Sequence, residues 1–125
     1  MRYEYFTINR QSGVLILELK DPRQFNRLLG VEFARELSEL AHNEQPDRLV
    51  VDLAEVGFCT SELVEGLLRV QRTLGAHGGR VRLCHVRGRT AEVFRVLRLD
   101  RGPLAVDATR SESLRALETP LTLGI

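Results

Sequence analysis

The chain begins with two short apolar runs that have the residue composition of β-strands. The runs cover residues 3–8 and 14–19, and both are rich in β-branched, aromatic and aliphatic side chains. Between them, residues 9–13 are polar and end in a glycine, which is typical of a turn. This pattern predicts an N-terminal antiparallel hairpin.

The spacing of apolar residues then changes from that of strands to that of helices. After the loop that starts at Lys20, five residues recur at helical spacing: Phe33, Ala34, Leu37, Leu40 and Ala41. The next apolar run, residues 49–53, is interrupted only by Asp52 and is short, as in a strand that is covered on both faces. We therefore predict a first helix followed by a parallel central strand.

A second helix carries the clearest apolar stripe in the chain. The stripe consists of Leu63, Leu67, Val70 and Leu74, and it stops at the glycine-rich residues 75–79. We predict that this helix begins near Ser61. The hydroxyls of Thr60 and Ser61 then stand at its N-terminus.

The rest of the chain continues the alternation of strand and helix. We predict a strand at 81–86, a helix from about Thr90, a short strand at 104–106 and a helix at 111–117. Four apolar residues of the helix near Thr90 are predicted to face the sheet: Val93, Phe94, Val96 and Leu97. Such alternation favours right-handed crossovers within one α/β domain. The predicted domain spans residues 1–118, and residues 119–125 form a C-terminal tail.

Composition and charge argue against some classes of function. The 125 residues are 43% hydrophobic and 28% charged, as in an ordinary globular domain. Eighteen basic residues against 17 acidic ones leave a formal charge of +1, which gives nucleic-acid binding no electrostatic support. The N-terminus lacks the apolar core of a signal peptide, and no apolar run approaches the ~20 residues that span a bilayer. We expect a cytoplasmic protein without membrane insertion.

The cysteines and histidines follow no recognisable metal-binding or catalytic pattern. Cys59 and Cys84 lie in apolar surroundings without a CxxC spacing, which is typical of buried, reduced thiols. His42, His77 and His85 have no usual metal-ligand spacing, and none is placed as the base of a serine nucleophile. We expect no metal, no cofactor and no catalytic residue. His85 is interpreted as a hydrogen-bonded residue at the edge of the core.

The hydroxyls at the start of the second helix allow three roles. As an N-cap, Ser61 would accept a hydrogen bond from the N–H of Leu63 or Val64, typically worth about 1 kcal/mol. A helix N-terminus also favours a bound anion or a phosphoryl group. Glu62 opposes both, because two unit charges about 6 Å apart repel by roughly 0.7 kcal/mol in bulk water. Capping, anion binding and phosphorylation all stay open for Ser61.

Other charged residues surround the same predicted end of the sheet. Arg87 and Arg89 lie between a strand and a helix, near the strand ends where ligands usually meet open α/β sheets. They either contact a phosphate or an acidic partner, or belong to a solvated loop. Glu62 and Glu65 have the spacing of a solvated helix face, which does not support catalysis by paired carboxylates.

Four segments, in their order and spacing, resemble the STAS domain, the family of sulfate transporters and anti-sigma-factor antagonists. They read LVVDLAEVGF at 49–58, TSELVEGLL at 60–68, GGRVRLCHV at 78–86 and VFRVLRLD at 93–100. The resemblance covers nearly the whole chain. It implies a mixed β-sheet of about five strands with an N-terminal antiparallel hairpin, and about four α-helices packed mainly on one side. It also implies a function by protein–protein binding and no enzymatic activity.

The resemblance gives Ser61 the position of a regulatory phosphoserine. Antagonists of this family bind a partner kinase, which phosphorylates a serine in a segment that reads roughly Asp-Ser-Ser-Gly. Here Thr60 stands for the aspartate, Ser61 matches the phosphorylated serine and Glu62 replaces the second serine. We expect phosphorylation of Ser61, less readily of Thr60, to be optional or absent. The expected partner-binding residues are Cys59, Thr60, Ser61, Glu62, Glu65, Arg87 and Arg89.

The sequence is compatible with three functions, and none of them determines an oligomeric state. The first is an anti-sigma-factor antagonist that binds an anti-sigma factor or a GHKL-type switch kinase. The second is an accessory subunit of a transport ATPase or of a stress-sensing assembly. The third is a module that binds a nucleotide or another anion at the end of the sheet that carries Ser61, Arg87 and Arg89.

Overall fold

The computed structural model describes residues 3–20, 27–54, 56 and 59–118, and for residues 27–29 it describes the backbone only. The predicted tail at 119–125 lies outside the described residues, as do Glu55, Gly57 and Phe58 of the segment at 49–58. No helix within the described ranges is long and apolar enough to cross a bilayer.

The chain opens with the predicted antiparallel hairpin. Strand β1 (Phe6–Gln11) pairs with β2 (Val14–Leu19), and the two-residue turn holds Ser12 and Gly13 at φ of 53° and 80°. Two consecutive positive φ values match the twist of the flanking strands, which is why glycine is favoured there. β1 lies later in the chain than predicted. Tyr3, which was assigned to the strand, precedes it and stacks on Phe6 with ring centroids 4.6 Å apart.

A five-stranded mixed sheet forms the centre of the fold, as the family resemblance implied. Its order is β1-β2-β3-β4-β5, in which β3 is Arg48–Asp52, β4 is Arg80–Cys84 and β5 is Ala105–Asp107. The β2–β3, β3–β4 and β4–β5 pairs are parallel. The apolar run of β3 therefore occupies the middle of the sheet, where both of its faces are covered.

Four α-helices connect or follow the strands, as predicted. They are α1 (Arg27–Glu44), α2 (Ser61–Gly75), α3 (Gly88–Val96) and α4 (Arg110–Glu118). A 3-10 turn, Leu99–Arg101, follows α3. Three helices pack on one face of the sheet and α4 packs on the other, so the helices lie mainly on one side.

The first face of the sheet carries the larger apolar core. Strand residues such as Leu15, Leu49 and Leu83 pack there against α1, α2 and Phe94 of α3. The axes of α1 and α2 approach closely at Gly66, where an added Cβ would lie 2.7 Å from the Cβ of Ala34. A side chain at Gly66 would therefore force these two helices apart.

The second face has a small apolar cluster under α4. It contains Val14, Ile16, Val50, Cys84 and Leu117. Polar contacts hold both ends of α4: the guanidinium groups of Arg48 and Arg80 donate to the carbonyl oxygen of Leu117 at 3.2 and 2.9 Å. At the other end, Arg110 reaches carboxylates of the sheet. This face is closed by hydrogen bonds and ion pairs as much as by apolar packing.

Candidate functional site

Thr60, not Ser61, caps the second helix. Thr60 is the N-cap of α2, in extended conformation, and its Oγ1 accepts a hydrogen bond from the N–H of Leu63 at 3.1 Å. Its side chain is buried, with 8% of the residue exposed. Of the three roles that the sequence left open for Ser61, capping is therefore filled by the preceding residue instead. The helix start is therefore stabilised by a hydroxyl that faces the protein.

Ser61 is left exposed at the first position of α2. Its hydroxyl lies 3.4 Å from a carboxylate oxygen of Glu62, to which it donates a weak hydrogen bond. Because Thr60 supplies the cap, the Ser61 oxygen is not needed to cap α2. Its surroundings combine the positive end of a helix dipole with an adjacent negative side chain.

A groove of about 290 Å³ begins beside Ser61 and runs between α2 and α3. Four apolar side chains supply its walls, Val64 and Leu68 from α2 and Val93 and Leu97 from α3. Cys59, Thr60, Ser61 and Glu65 complete the lining at the start of α2. Burial raises the pKa of the half-buried Cys59 thiol, so Cys59 acts here as an apolar wall rather than a nucleophile.

The apolar residues of α3 do not all face the sheet, contrary to the prediction. Phe94 is buried, but Val96 and Leu97 are 70% and 57% exposed. A helix of nine residues turns one row of side chains inward, here Thr90 and Phe94, which are four apart. Val93 and Leu97 form a neighbouring row, and this row faces the groove.

The start of α3 is fixed next to the start of α2. The hydroxyl of Thr90 donates to the carbonyl oxygen of Val56 at 3.4 Å, which joins α3 to the segment that precedes α2. Arg89 lines an adjoining surface groove of about 570 Å³ together with Glu92, Val93, Val96 and Leu97. Arg87 is the N-cap residue of α3 and makes no side-chain cap bond.

The structure brings most of the predicted site residues together, but not all of them. Cys59, Thr60, Ser61 and Glu65 share the groove with Val93, and Arg89 borders the same apolar row. Glu62 and Glu65 line a separate groove of about 410 Å³ between α1 and α2. Glu65 also pairs with Arg69 at 3.0 Å. Arg87 is exposed and lines none of these three grooves.

A polar network centred on the buried Asp52 lies on the second face, at the ends of β2, β3 and β4. Nδ1 of His85 lies 2.9 Å from one oxygen of Asp52, and Arg110 bonds the other oxygen at 2.7 Å. Arg110 also bonds Glu18. Burial raises the pKa of Asp52, but the hydrogen bonds from His85, Arg110 and the N–H of Ala54 outweigh it and hold that pKa below its ordinary value. His85 is thus the hydrogen-bonded edge residue that we predicted.

Asp52, Cys84 and His85 form one group whose ligand atoms lie within 4.8 Å of one another, a spacing that metal sites use. Asp52 already binds His85 and Arg110 through both oxygens. Burial raises the pKa of the Cys84 thiol to about 12, so this sulfur stays protonated. Asp52 and His85 therefore belong to a hydrogen-bonded network with Arg110, beside the protonated thiol of Cys84.

Two features of these sites were not predicted from the sequence. The first is the groove row of Val93 and Leu97, which the 3.6-residue period separates from Phe94 and which counting along a helical wheel would have shown. The second is Arg110, whose partner Asp52 is 58 residues earlier in the chain. No local pattern in the sequence indicates that pairing.

Comparison with known proteins identifies the family. The family model described as "Mlab, STAS domain" matches residues 29–115. No curated protein sequence matches the chain significantly. Among solved structures, a STAS domain protein from Planctomyces limnophilus is 24% identical, with a TM-score of 0.79 over 91% of this chain and 98% of that one.

Two anti-sigma-factor antagonists have the same fold. The protein from Mycobacterium paratuberculosis is 18% identical, with a TM-score of 0.77 over 91% of this chain and 93% of that one. Phosphorylated SpoIIAA from Bacillus is 17% identical, with a TM-score of 0.63 over 90% and 98%. The family match covers well over half of the sequence, and the sheet and helices described above are those of these structures. This chain therefore belongs to the STAS domain family.

Proposed function

We propose that this protein is a regulatory interaction module of the anti-sigma-factor-antagonist type. It binds an anti-sigma factor or a GHKL-type switch kinase through the surface at the start of α2. It acts by binding and not by catalysis. The fold that it shares with anti-sigma-factor antagonists supports the class of function.

One observation carries the proposal: Ser61 is exposed at the mouth of an apolar groove on the protein surface. An exposed hydroxyl at a helix start is reachable by a kinase, and an apolar groove beside it offers binding energy to a partner. The partner surface comprises Cys59, Thr60, Ser61, Glu62, Glu65, Arg87 and Arg89, and the groove adds Val64, Leu68, Val93 and Leu97.

The proposal includes phosphorylation of Ser61, but binding of the partner does not require it. The Thr60 hydroxyl accepts the capping hydrogen bond and is buried, so a kinase reaches Ser61 more easily. A phosphoryl group on Ser61 would meet the Glu62 carboxylate, which already contacts the Ser61 hydroxyl. This repulsion, roughly 0.7 kcal/mol or more, destabilises the phosphorylated form of Ser61. The resident Glu62 charge provides part of the field that a phosphate would create.

The test is co-expression with the anti-sigma kinase encoded nearest to this gene, followed by affinity purification and intact-mass measurement. We expect the kinase to copurify with the wild-type chain. Any gain in mass equal to one phosphoryl group is expected to disappear in Ser61→Ala and to persist in Thr60→Val, the matched control. Failure of the kinase to copurify, or recovery of a transport ATPase or a large assembly of homologous chains, would contradict the antagonist function.

A further inference from the structure

The surface between α2 and α3 carries an apolar strip whose α3 end is open to solvent. Val96 and Leu97 are the most exposed of the large hydrophobic side chains in the described residues, at 70% and 57%. Leu97 also lines the groove that contains Ser61. The strip is therefore continuous with the proposed partner surface.

Two helices present this strip in matching rows. Val64 and Leu68 are four residues apart on α2, and Val93 and Leu97 are four residues apart along α3 and its C-cap. Side chains four apart lie one helical turn apart on the same face. Rows of this spacing on two helices that line one groove provide apolar side chains at the positions that an amphipathic helix contacts.

The segment that carries the α3 side of the strip is rich in positive charge. Residues 87–101 contain five arginines and two acidic residues: Arg87, Arg89, Arg95, Arg98 and Arg101, with Glu92 and Asp100. All five arginines are exposed, and none forms an ion pair within the described residues. Elsewhere Arg35, Arg69 and Arg110 each pair with a carboxylate. The whole chain carries only +1, so its positive charge is concentrated here.

We propose that the strip of Val64, Leu68, Val93, Val96 and Leu97 receives an acidic amphipathic helix of the partner protein. The apolar face of that helix lies in the groove, and its Asp and Glu side chains lie against the arginines of residues 87–101. This inference rests on the proposed function, because it specifies what the partner presents to the same surface. Charge complementarity speeds association, and the apolar contact slows dissociation.

A basic apolar surface also attracts anionic membranes, but the geometry here favours a helix. Interfacial membrane helices expose one long apolar face. α3 has nine residues, and its inward row of Thr90 and Phe94 is buried in the protein. The groove walls come from two helices, which gives a concave site for one protein segment. A lipid surface and a second copy of this chain are therefore outcomes that count against the proposal.

The experiment is photo-crosslinking of the full chain in its native host. A photoreactive amino acid replaces Leu97 in the strip, Glu65 near Ser61, or Arg115 on the opposite face of the sheet. We expect adducts with one protein at positions 65 and 97 and none at 115. The peptide attached at 97 should carry apolar residues at i, i+3 or i+4 and i+7, and an excess of Asp and Glu.

The outcomes separate this inference from the proposed function. Adducts at 65 without an adduct at 97 would overturn the acidic helix and leave the partner surface at Ser61 standing. An adduct at 97 with a lipid, a second copy or a basic segment would also overturn it. The absence of adducts at both positions would overturn both proposals.

Affinity measurements on the crosslinked partner, once purified, give the matched control. Leu97→Asp and Arg89→Glu are expected to weaken binding at least about tenfold. Arg115→Glu, the same charge change on α4, is expected to alter it by less than about twofold. Added salt should weaken binding of the wild-type chain more than binding of Arg89→Glu. Wild-type affinity in Leu97→Asp would overturn the inference.

Discussion

The two faces of the sheet are closed in different ways. The first face packs against three helices through a continuous apolar core, and this leaves the outer surfaces of α2 and α3 free to form a groove beside Ser61. The second face has one short helix over a small apolar cluster, and Arg110, Arg48 and Arg80 fasten that helix by polar contacts. The most exposed apolar side chains, Val96 and Leu97, lie on the outer surface of the first face and outside its core.

This difference separates binding from stability within one small domain. Among the residues around the groove, Ser61 and Leu97 are exposed and Thr60 forms the local capping bond. Val64 and Leu68 are half-buried and also pack against the core. The polar residues of the second face bond one another across long stretches of sequence. We therefore expect substitutions of these polar residues to change stability, and substitutions of the exposed groove residues to change binding.

The largest effects on stability should come from the first face. Leu67→Ala removes a fully buried side chain between α2 and the sheet and should lower the free energy of unfolding by about 3–4 kcal/mol. Leu117→Ala on the second face should cost about 2 kcal/mol, because α4 can settle onto its smaller cluster. Denaturant unfolding of both variants measures this, and an equal or larger loss for Leu117→Ala would contradict the contrast.

The next effect concerns the Asp52 network. Asp52→Ala leaves the guanidinium of Arg110 and the imidazole of His85 without their shared buried partner. We expect a loss of about 2–3 kcal/mol in the free energy of unfolding. Glu18→Ala removes the more exposed partner of Arg110 and is expected to cost less than about 1 kcal/mol. A similar loss of stability in both variants would show that the burial of Asp52 does not increase the contribution of its ion pair with Arg110.

The main elements of the fold could be predicted from local patterns, whereas the Asp52 network could not. The stripe from Leu63 to Leu74 and the apolar run of β3 depend on residue period, so the sequence alone is informative. α3 was harder, because nine residues provide one inward row and its remaining apolar residues are exposed. The sequence did not show that Thr60 rather than Ser61 caps α2, because the exact end of an element depends on the local backbone path, which residue period does not specify.

Acid should weaken the second face in a predictable direction. Hydrogen bonds from Arg82 and Ser113 lower the pKa of Asp107, despite its burial, and the pKa of Asp52 is also below its ordinary value. Carboxylates with depressed pKa stabilise the folded state fully above their ordinary pKa of about 3.9. That stability is lost as pH falls through the folded values.

Unfolding midpoints measured from pH 7 down to strongly acidic pH test this. We expect the wild-type midpoint to fall steeply in acid, and the Asp52→Asn and Asp107→Asn variants to show shallower slopes. A wild-type slope that both variants retain would assign the acid sensitivity to other carboxylates.

The smallest effect distinguishes two neighbouring hydroxyls. Thr60→Ala removes the N-cap of α2 and should lower the free energy of unfolding by about 1 kcal/mol. Ser61→Ala removes an exposed hydroxyl and should change it by less than about 0.5 kcal/mol. Equal losses in thermal or denaturant unfolding would contradict the division of the two hydroxyls between structure and binding.

Hydrogen exchange of the chain alone and in complex with its anti-sigma partner tests the central claim most directly. The partner surface at the start of α2 and along α3 predicts slower exchange on binding for amides within 61–68 and 88–97. Amides of α4, at 110–118, are expected to exchange at unchanged rates. Protection confined to α4 and the second face, with none at the start of α2, would contradict the account.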